Sequence, residues 1–178
     1  MLVKVGIVFA ILCAVLFVYM VYIGALRRVR IVEREEGPFL FVYREVQGTD
    51  QGQIGRTTTE LRADLESAGI TAMSPFDLFQ TPDSKLPNEI GFVISQSDDA
   101  KLVSLKNVIK KTILRQRYIA TDFPFRNRLS FIVGYVKVNP ALAKYRAQKS
   151  YRPAYAIARN DGDLITYLQP IRSDEQTF

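Results

Sequence analysis

Residues 5–26 form a run of 22 positions without a charge, and Arg27, Arg28 and Arg30 follow immediately. An α-helix rises about 1.5 Å per residue, so about 20 apolar residues cross the roughly 30 Å hydrocarbon core of a bilayer. Within hydrocarbon the backbone N–H and C=O groups have no water to pair with, which forces such a run into helix. Tyr19 and Tyr22 stand near its C-terminal end, where aromatic rings settle at headgroup level. A cleaved secretory signal is the competing reading. Its apolar core is about 7 to 15 residues long and ends at a small-residue site, for which Tyr22-Ile23-Gly24-Ala25-Leu26 is a weak substitute. The run reads as an uncleaved anchor, residues 1–28, in a bacterial inner membrane or, in a eukaryote, the ER membrane. Only Lys4 and the free amine precede it, against Arg27, Arg28, Arg30 and Arg34 behind it. That asymmetry predicts a cytoplasmic C-terminal domain.

About 150 residues remain, the size of one domain, 29–171, with a short tail at 172–178. Lys and Arg number 24 against 18 Asp and Glu, a net charge of +6. No basic stripe with interleaved aromatics accompanies that excess, so no nucleic-acid partner is expected. The sequence holds no histidine, which removes Ser-His-Asp and Cys-His catalysis, histidine zinc sites and proximal-histidine haem ligation. Neither a metal nor a cofactor is expected. The one cysteine, Cys13, lies in the anchor, so the soluble part forms no disulfide.

Beyond the anchor the hydropathy pattern divides into two similar halves. Residues 39–46 read as a strand and residues 47–52 as a turn-rich loop. Ile54, Thr58, Leu61, Leu65 and Ala68 then recur at helical spacing up to Gly69. Extended runs at 75–80 and 89–95 follow, divided by a loop carrying Pro82 and Asp83. The order repeats with a strand at 115–123 and a helix at 126–138, whose Leu129, Ile132, Val133 and Val136 share a face. Asn139-Pro140 predicts a helical restart running to about Lys149. Strands at 153–159 and 164–169 are joined by Asn160-Asp161-Gly162-Asp163, a hairpin signal. Between the halves, residues 98–107 suggest a short helix ahead of a strand at 108–114. The expected class is α+β: an N-terminal transmembrane helix, then tandem strand-helix-strand-strand units about a pseudo-twofold axis with a cleft between them.

Tyr118-Ile119-Ala120-Thr121-Asp122-Phe123-Pro124-Phe125 is an extended run ending in Phe-Pro-aromatic. After it come Ser130, Val136-Lys137-Val138-Asn139-Pro140-Ala141-Leu142, Tyr145 and Tyr167-Leu168-Gln169-Pro170-Ile171. The first half holds Val42-Tyr43, Gly48 ahead of its helix, and Pro75-Phe76-Asp77-Leu78-Phe79. In this order the pieces resemble the GyrI-like, SOUL-related small-molecule-binding family, nearest its membrane-anchored branch, which includes the testis-expressed ER-phagy receptor of animals. The resemblance implies a cleft for amphipathic, often aromatic or cationic compounds, with occasional relatives that hydrolyse strained electrophiles. The family's usual ligand-facing glutamate lies in a Pro-x-aromatic-Glu-x-Tyr stretch. Here that stretch is Pro153-Ala154-Tyr155-Ala156-Ile157-Ala158, with Ala156 in the glutamate's place and Ala158 in the tyrosine's. A methyl group neither attracts a cation nor activates water, which counts against catalysis. Gly48-Thr49-Asp50 likewise replaces a frequent Gly-Pro-Tyr.

Tyr43, Phe79, Phe92, Tyr118, Phe123, Tyr155 and Tyr167 are the aromatics that, with Ala156, form the expected cleft lining. Plain core packing is the alternative for each ring. Glu89 and Asp122 are the acids considered for a displaced carboxylate, against exposed structural roles. Gly48, Gly52 and Gly55 lack the Lys-Ser/Thr of a phosphate loop and read as a turn. Lys106, Lys110, Lys111, Arg115 and Arg117 form a basic cluster, either a solvated face or a contact for anionic lipid. The expected function is non-catalytic binding of an amphipathic or aromatic small molecule by a membrane-tethered domain. Two alternatives stay open: an adaptor recruiting a protein partner, and a hydrolase of strained electrophiles.

Overall fold

The computed structural model describes residues 2–48, 50–81 and 84–171. The predicted tail at 172–178, Thr49, and the Pro82-Asp83 loop tip lie outside the described residues. Helix α1, Leu2–Tyr22, contains a segment, Val5–Tyr22, long and apolar enough to cross a membrane, and none of that segment is buried against the rest of the chain. The chain then turns through Ile23 and Gly24 into the domain.

The domain is α+β. Its elements run β1 (Val32–Glu36), β2 (Phe39–Val46), α2 (Gln51–Ser67), β3 (Met73–Phe79), β4 (Asn88–Ile94), a 3₁₀ segment (Gln96–Ser104), β5 (Ile109–Ile113), β6 (Gln116–Pro124), α3 (Arg128–Gln148), β7 (Ala156–Asn160) and β8 (Leu164–Pro170). The strands form one eight-stranded antiparallel sheet in the order β1-β6-β8-β7-β3-β4-β2-β5. β1 runs into β2 across Gly37-Pro38, and β5 into β6 across Leu114-Arg115. One register continues through both bends: Val32 opposes Ala120, Glu36 opposes Gln116, Phe39 opposes Ile113 and Tyr43 opposes Ile109. This ladder joins the two edges of the sheet and curls it. At the crossing, Gly37 has φ +100° and a Cβ there would lie 3.1 Å from Arg115 Cα, so glycine is required twice over.

Alternation along the strands gives the curled sheet an inner and an outer face. The inner face is filled by a cluster led by Phe39, Phe41, Tyr43, Phe76 and Tyr118, drawn from both ends of the sheet. Phe41 and Phe76 have ring centroids 4.8 Å apart, and Phe41 stacks on Tyr43 at 5.0 Å. Gly91, paired with both Tyr43 and Phe76, makes room for them: a Cβ at that position would lie 2.0 Å from Val42 O. Both long helices cover the outer face. α2 sets Leu61 and Leu65 on Val42, Phe92 and Ile94, and α3 sets Val138 and Leu142 on Ile119, Phe123 and Tyr167.

Three local expectations change. β1 carries Glu33, Arg34, Glu35 and Glu36 and shows no apolar alternation, yet it is a strand because Arg117 binds Glu33 at 2.7 Å and Arg34 binds Asp122 across the ladder. Asn139-Pro140 does not restart the helix: α3 runs through the exposed Pro140, giving up one backbone hydrogen bond on its solvent side. Its N-cap is instead Asn127, in a reciprocal box with Ser130. The third concerns which side of α3 is buried. Ser130, Gly134, Val138 and Leu142 face the sheet, while Leu129, Ile132 and Val136 are exposed. Small residues win the inner side because a Cβ on Gly134 would lie 2.8 Å from the Tyr167 hydroxyl and 2.9 Å from the Phe123 ring.

Candidate functional site

The strip of outer face between the two helices is where polar chemistry and access coincide. α2 packs on β2 and β4, and α3 packs on β6, which leaves the central strands β3 and β7 between them. The outward residues of these strands, Pro75, Asp77, Phe79, Ala156 and Asn160, are half-buried, whereas Phe92, Ile90 and Phe123 under the helices are sealed. Asp77 occupies the middle of this groove, opposite Ile90 on one side and Ala158 on the other.

Asp77 Oδ1 is shut off from solvent and has no hydrogen-bond partner among the described residues. Burial, opposed by one backbone hydrogen bond from Gly91, pushes its carboxyl up from 3.8 to about 7. A carboxyl poised near neutrality accepts a cation when ionised and donates a hydrogen bond when protonated. Ala156 and Ala158 beside it contribute only methyl groups, so neither offers the acid a hydrogen-bond partner. Toward α3, the Tyr167 hydroxyl is also buried without a partner among the described residues, and burial raises its pKa.

The structure divides the eight predicted lining residues between the two faces. Tyr43 and Tyr118 belong to the inner aromatic cluster, with Tyr155 packed against it. Gln116 Nε2 donates to the Tyr118 and Tyr155 hydroxyls at 2.8 and 3.3 Å, and burial pushes Tyr118 up to about 12. Phe79, Phe92, Phe123, Ala156 and Tyr167 lie on the helix-covered side. Of these, Phe79 and Ala156 border Asp77 on β3 and β7.

Both acids considered from sequence are already engaged. Asp122 accepts two hydrogen bonds from Arg34, at 2.9 and 3.0 Å, and one from Thr166 at 2.8 Å. The Arg34 guanidinium first, then Thr166, hold its carboxyl below the usual range against the cost of burial. Arg34 also meets Glu36 at 2.8 Å, and Glu36 meets Arg159 at 3.0 Å, forming a chain of alternating charge along the inner face. Glu89 pairs with Lys111. The basic cluster is largely neutralised as well: Lys110 meets Asp99 at 2.6 Å, Arg115 meets Glu35 at 3.1 Å and Arg117 meets Glu33. Around Gly52, the N-cap of α2 is occupied by the Asp50 carboxylate, which accepts from Gly52 N and disfavours a phosphate there.

Asp77 was missed because a strand reading Pro75-Phe76-Asp77-Leu78-Phe79 places a lone acid on what sequence alone treats as the solvent face. Its burial is set by tertiary packing and not by the pattern of the strand. The signal available was a charged residue amid the apolar residues of the strand immediately after α2.

No protein-family model matches the chain, and no curated protein matches it. Likeness appears in solved structures. An integron cassette protein from the mobile metagenome of Vibrio cholerae superposes with a TM-score of 0.55 at 12% identity, over 80% of this chain and 95% of its own. EcmrR, solved by cryo-EM in an EcmrR-DNA complex, superposes with a TM-score of 0.60 at 12% identity, over 96% of this chain and 68% of its own. At that identity the likeness shows the fold alone: the chain shares an α+β architecture built on a curled antiparallel sheet.

Proposed function

We propose that the chain is a single-pass membrane protein whose domain, a GyrI-like tandem facing the cytoplasm, binds an amphipathic small molecule in the groove between α2 and α3. The observation that carries this reading is Asp77, whose Oδ1 is sealed and has no hydrogen-bond partner among the described residues, on a strip of half-buried outward residues beside Phe79, Ala156 and Ala158. An unpaired buried polar group is costly, so a ligand supplying a cation or a donor recovers that cost on binding. The ligand class is therefore an amphiphile with an aromatic or aliphatic body and one cationic or hydrogen-bond-donating head. Asp77 takes the role that Ala156 gives up, from the neighbouring strand. Binding without turnover is the activity, since one carboxyl with no partner base or nucleophile beside it supplies no catalytic set.

The test is thermal unfolding of residues 29–178, which carry all of the core clusters, with cationic, neutral and anionic amphipathic aromatics. A ligand at 100 times its dissociation constant adds about 2.7 kcal/mol. Stabilisation by cationic compounds that disappears in Asp77→Asn supports the groove. No stabilisation by any class, or the same stabilisation in Asp77→Asn, rejects it.

A further inference from the structure

The first half of α3 carries an apolar stripe that the domain does not use. Leu129, Ile132, Tyr135 and Val136 are 49%, 54%, 55% and 63% exposed. This stripe lies between two ties to the anchor. At its start, Asn127, the α3 N-cap, donates from Nδ2 to the Tyr19 hydroxyl at 3.1 Å, and the Arg126 guanidinium sits 6.0 Å over the Tyr22 ring. At its end, Lys137 Nζ donates to the carbonyls of Ala25 and Arg27. The junction between these ties is packed rather than loose. Ile23 is 2% exposed, and a Cβ on Gly24 would lie 2.7 Å from the Pro124 ring.

These contacts set the height of α3 relative to α1. Tyr19 and Tyr22 are the aromatic end of the membrane-crossing segment, the part that settles at headgroup level. A helix tied to that level at residue 127, and to the chain just beyond it at residue 137, holds its outward stripe at the bilayer surface. Beside it, Arg27, Arg28 and Arg30 line a cavity of about 410 Å³ together with Asp122. Asp122 is committed to Arg34, and no acidic partner of Arg27, Arg28 or Arg30 occurs among the described residues. An apolar stripe flanked by unpaired arginines, continuous with a membrane anchor, matches the chemistry of an anionic bilayer surface.

We propose that α3 is a second membrane contact: Leu129, Ile132, Tyr135 and Val136 enter the interface of an anionic leaflet while Arg27, Arg28 and Arg30 hold lipid phosphates. The domain is thereby fixed flat against the membrane rather than swinging on a linker. The proposal rests on α1 crossing the bilayer, and the test separates the two. The full chain is reconstituted in nanodiscs of neutral lipid or of neutral lipid mixed with phosphatidylserine. An environment-sensitive fluorophore is placed on native Cys13, or on Ile132→Cys, Val136→Cys or Val103→Cys in a Cys13→Ser background, and challenged with nitroxide-bearing lipids.

The expected result is deep quenching at Cys13, shallow quenching with a blue shift at positions 132 and 136, and a water-like signal at position 103. Replacing Arg27, Arg28 and Arg30 with Gln removes the excess quenching at 132 and 136 in phosphatidylserine discs over neutral ones. Quenching at Cys13 with a water-like signal at 132 and 136 overturns the proposal and leaves the anchor standing. Inter-chain disulfides through Ile132→Cys without lipid quenching overturn it in favour of a second copy on this face. An unquenched Cys13 overturns both readings.

Discussion

Asp77 stands directly opposite Ala158 across the β3–β7 ladder, a carboxyl facing a methyl group at the centre of the sheet, with one of its oxygens sealed and unpartnered. Its folded pKa, about 7, lies above the ordinary 3.8. Between those values the folded state holds a proton that the unfolded chain has released, so stability falls as pH rises from about 4 to about 7 and then levels off. A shift of about three units sets a ceiling of about 4 kcal/mol on that fall. Urea unfolding at pH 4.5, 6 and 8 should show the decline in the native sequence and a flat profile in Asp77→Asn. A flat native profile would mean that Asp77 does not titrate in this window. Because a bound cation displaces the proton, affinity for cationic ligands should rise with pH up to about 7 and then level off.

Gly91→Ala should be among the most damaging single changes in the domain. Its Cβ would meet the backbone of β2, 2.0 Å from Val42 O and 2.7 Å from Tyr43 Cα, where no side chain can swing aside. A loss of about 3 kcal/mol or more follows from forcing backbone apart in a packed core, read as a lowered urea midpoint or as failure to fold.

Tyr167→Phe should stabilise the fold. The hydroxyl is buried against the α3 backbone at Gly134 without a partner among the described residues, and removing it leaves the ring packed in its place. A gain of about 1 kcal/mol is expected from equilibrium unfolding; a loss of that size would reveal a hydrogen bond that the hydroxyl makes in solution.

The Arg34–Asp122 pair ties β1 to β6, and its partners are about a third exposed, so solvent takes most of the Coulombic gain. A double-mutant cycle with Arg34→Met and Asp122→Asn should give a coupling of about 1 kcal/mol at pH 7, weakened in high salt. The Asp122 pKa is depressed on folding, so its stabilisation is present above the ordinary carboxylate pKa and is lost as pH falls through the lowered one. A coupling unchanged at pH 2 would contradict that sign.

Pro140→Ala should raise stability by about 1 kcal/mol. It restores an intrahelical hydrogen bond at an exposed position of α3, offset in part by the freer unfolded chain. Circular dichroism melting reads the change directly, and a drop in melting temperature would mean that the proline shapes α3 for its packing on β6.

The legible parts of the fold were those written in local pattern. β2 matches its predicted bounds, Phe39–Val46, because the run is apolar and bounded by turn residues. The helix from Ile54 to Leu65 was equally plain, and Gly69, at φ +75°, does follow its end. The hairpin at Asn160-Asp161-Gly162-Asp163 forms with Gly162 at φ +79°. β1 was invisible because its stability comes from carboxylates and guanidiniums supplied by β6, some eighty residues away in sequence. The site was only half legible. The strand aromatics are apparent as a set, but which of them face inward depends on register, and Asp77 looks like any surface acid until tertiary packing buries it.

What the sequence determined by itself is the N-terminal helix, since a run of uncharged apolar residues carries its own solvent requirement wherever it is placed. It also determined the α+β order of strands and helices, because hydrophobic period and turn chemistry act within a few residues of one another. Tertiary structure alone decided that Ser130 and Gly134 rather than Leu129 and Ile132 face the sheet, that β1 is a strand, and that Asp77 is sealed. Each of those outcomes depends on the shape and charge presented by a distant segment: the Phe123 ring and Tyr167 hydroxyl for α3, Asp122 and Arg117 for β1, and the paired strands β4 and β7, which set Ile90 and Ala158 beside it, for Asp77.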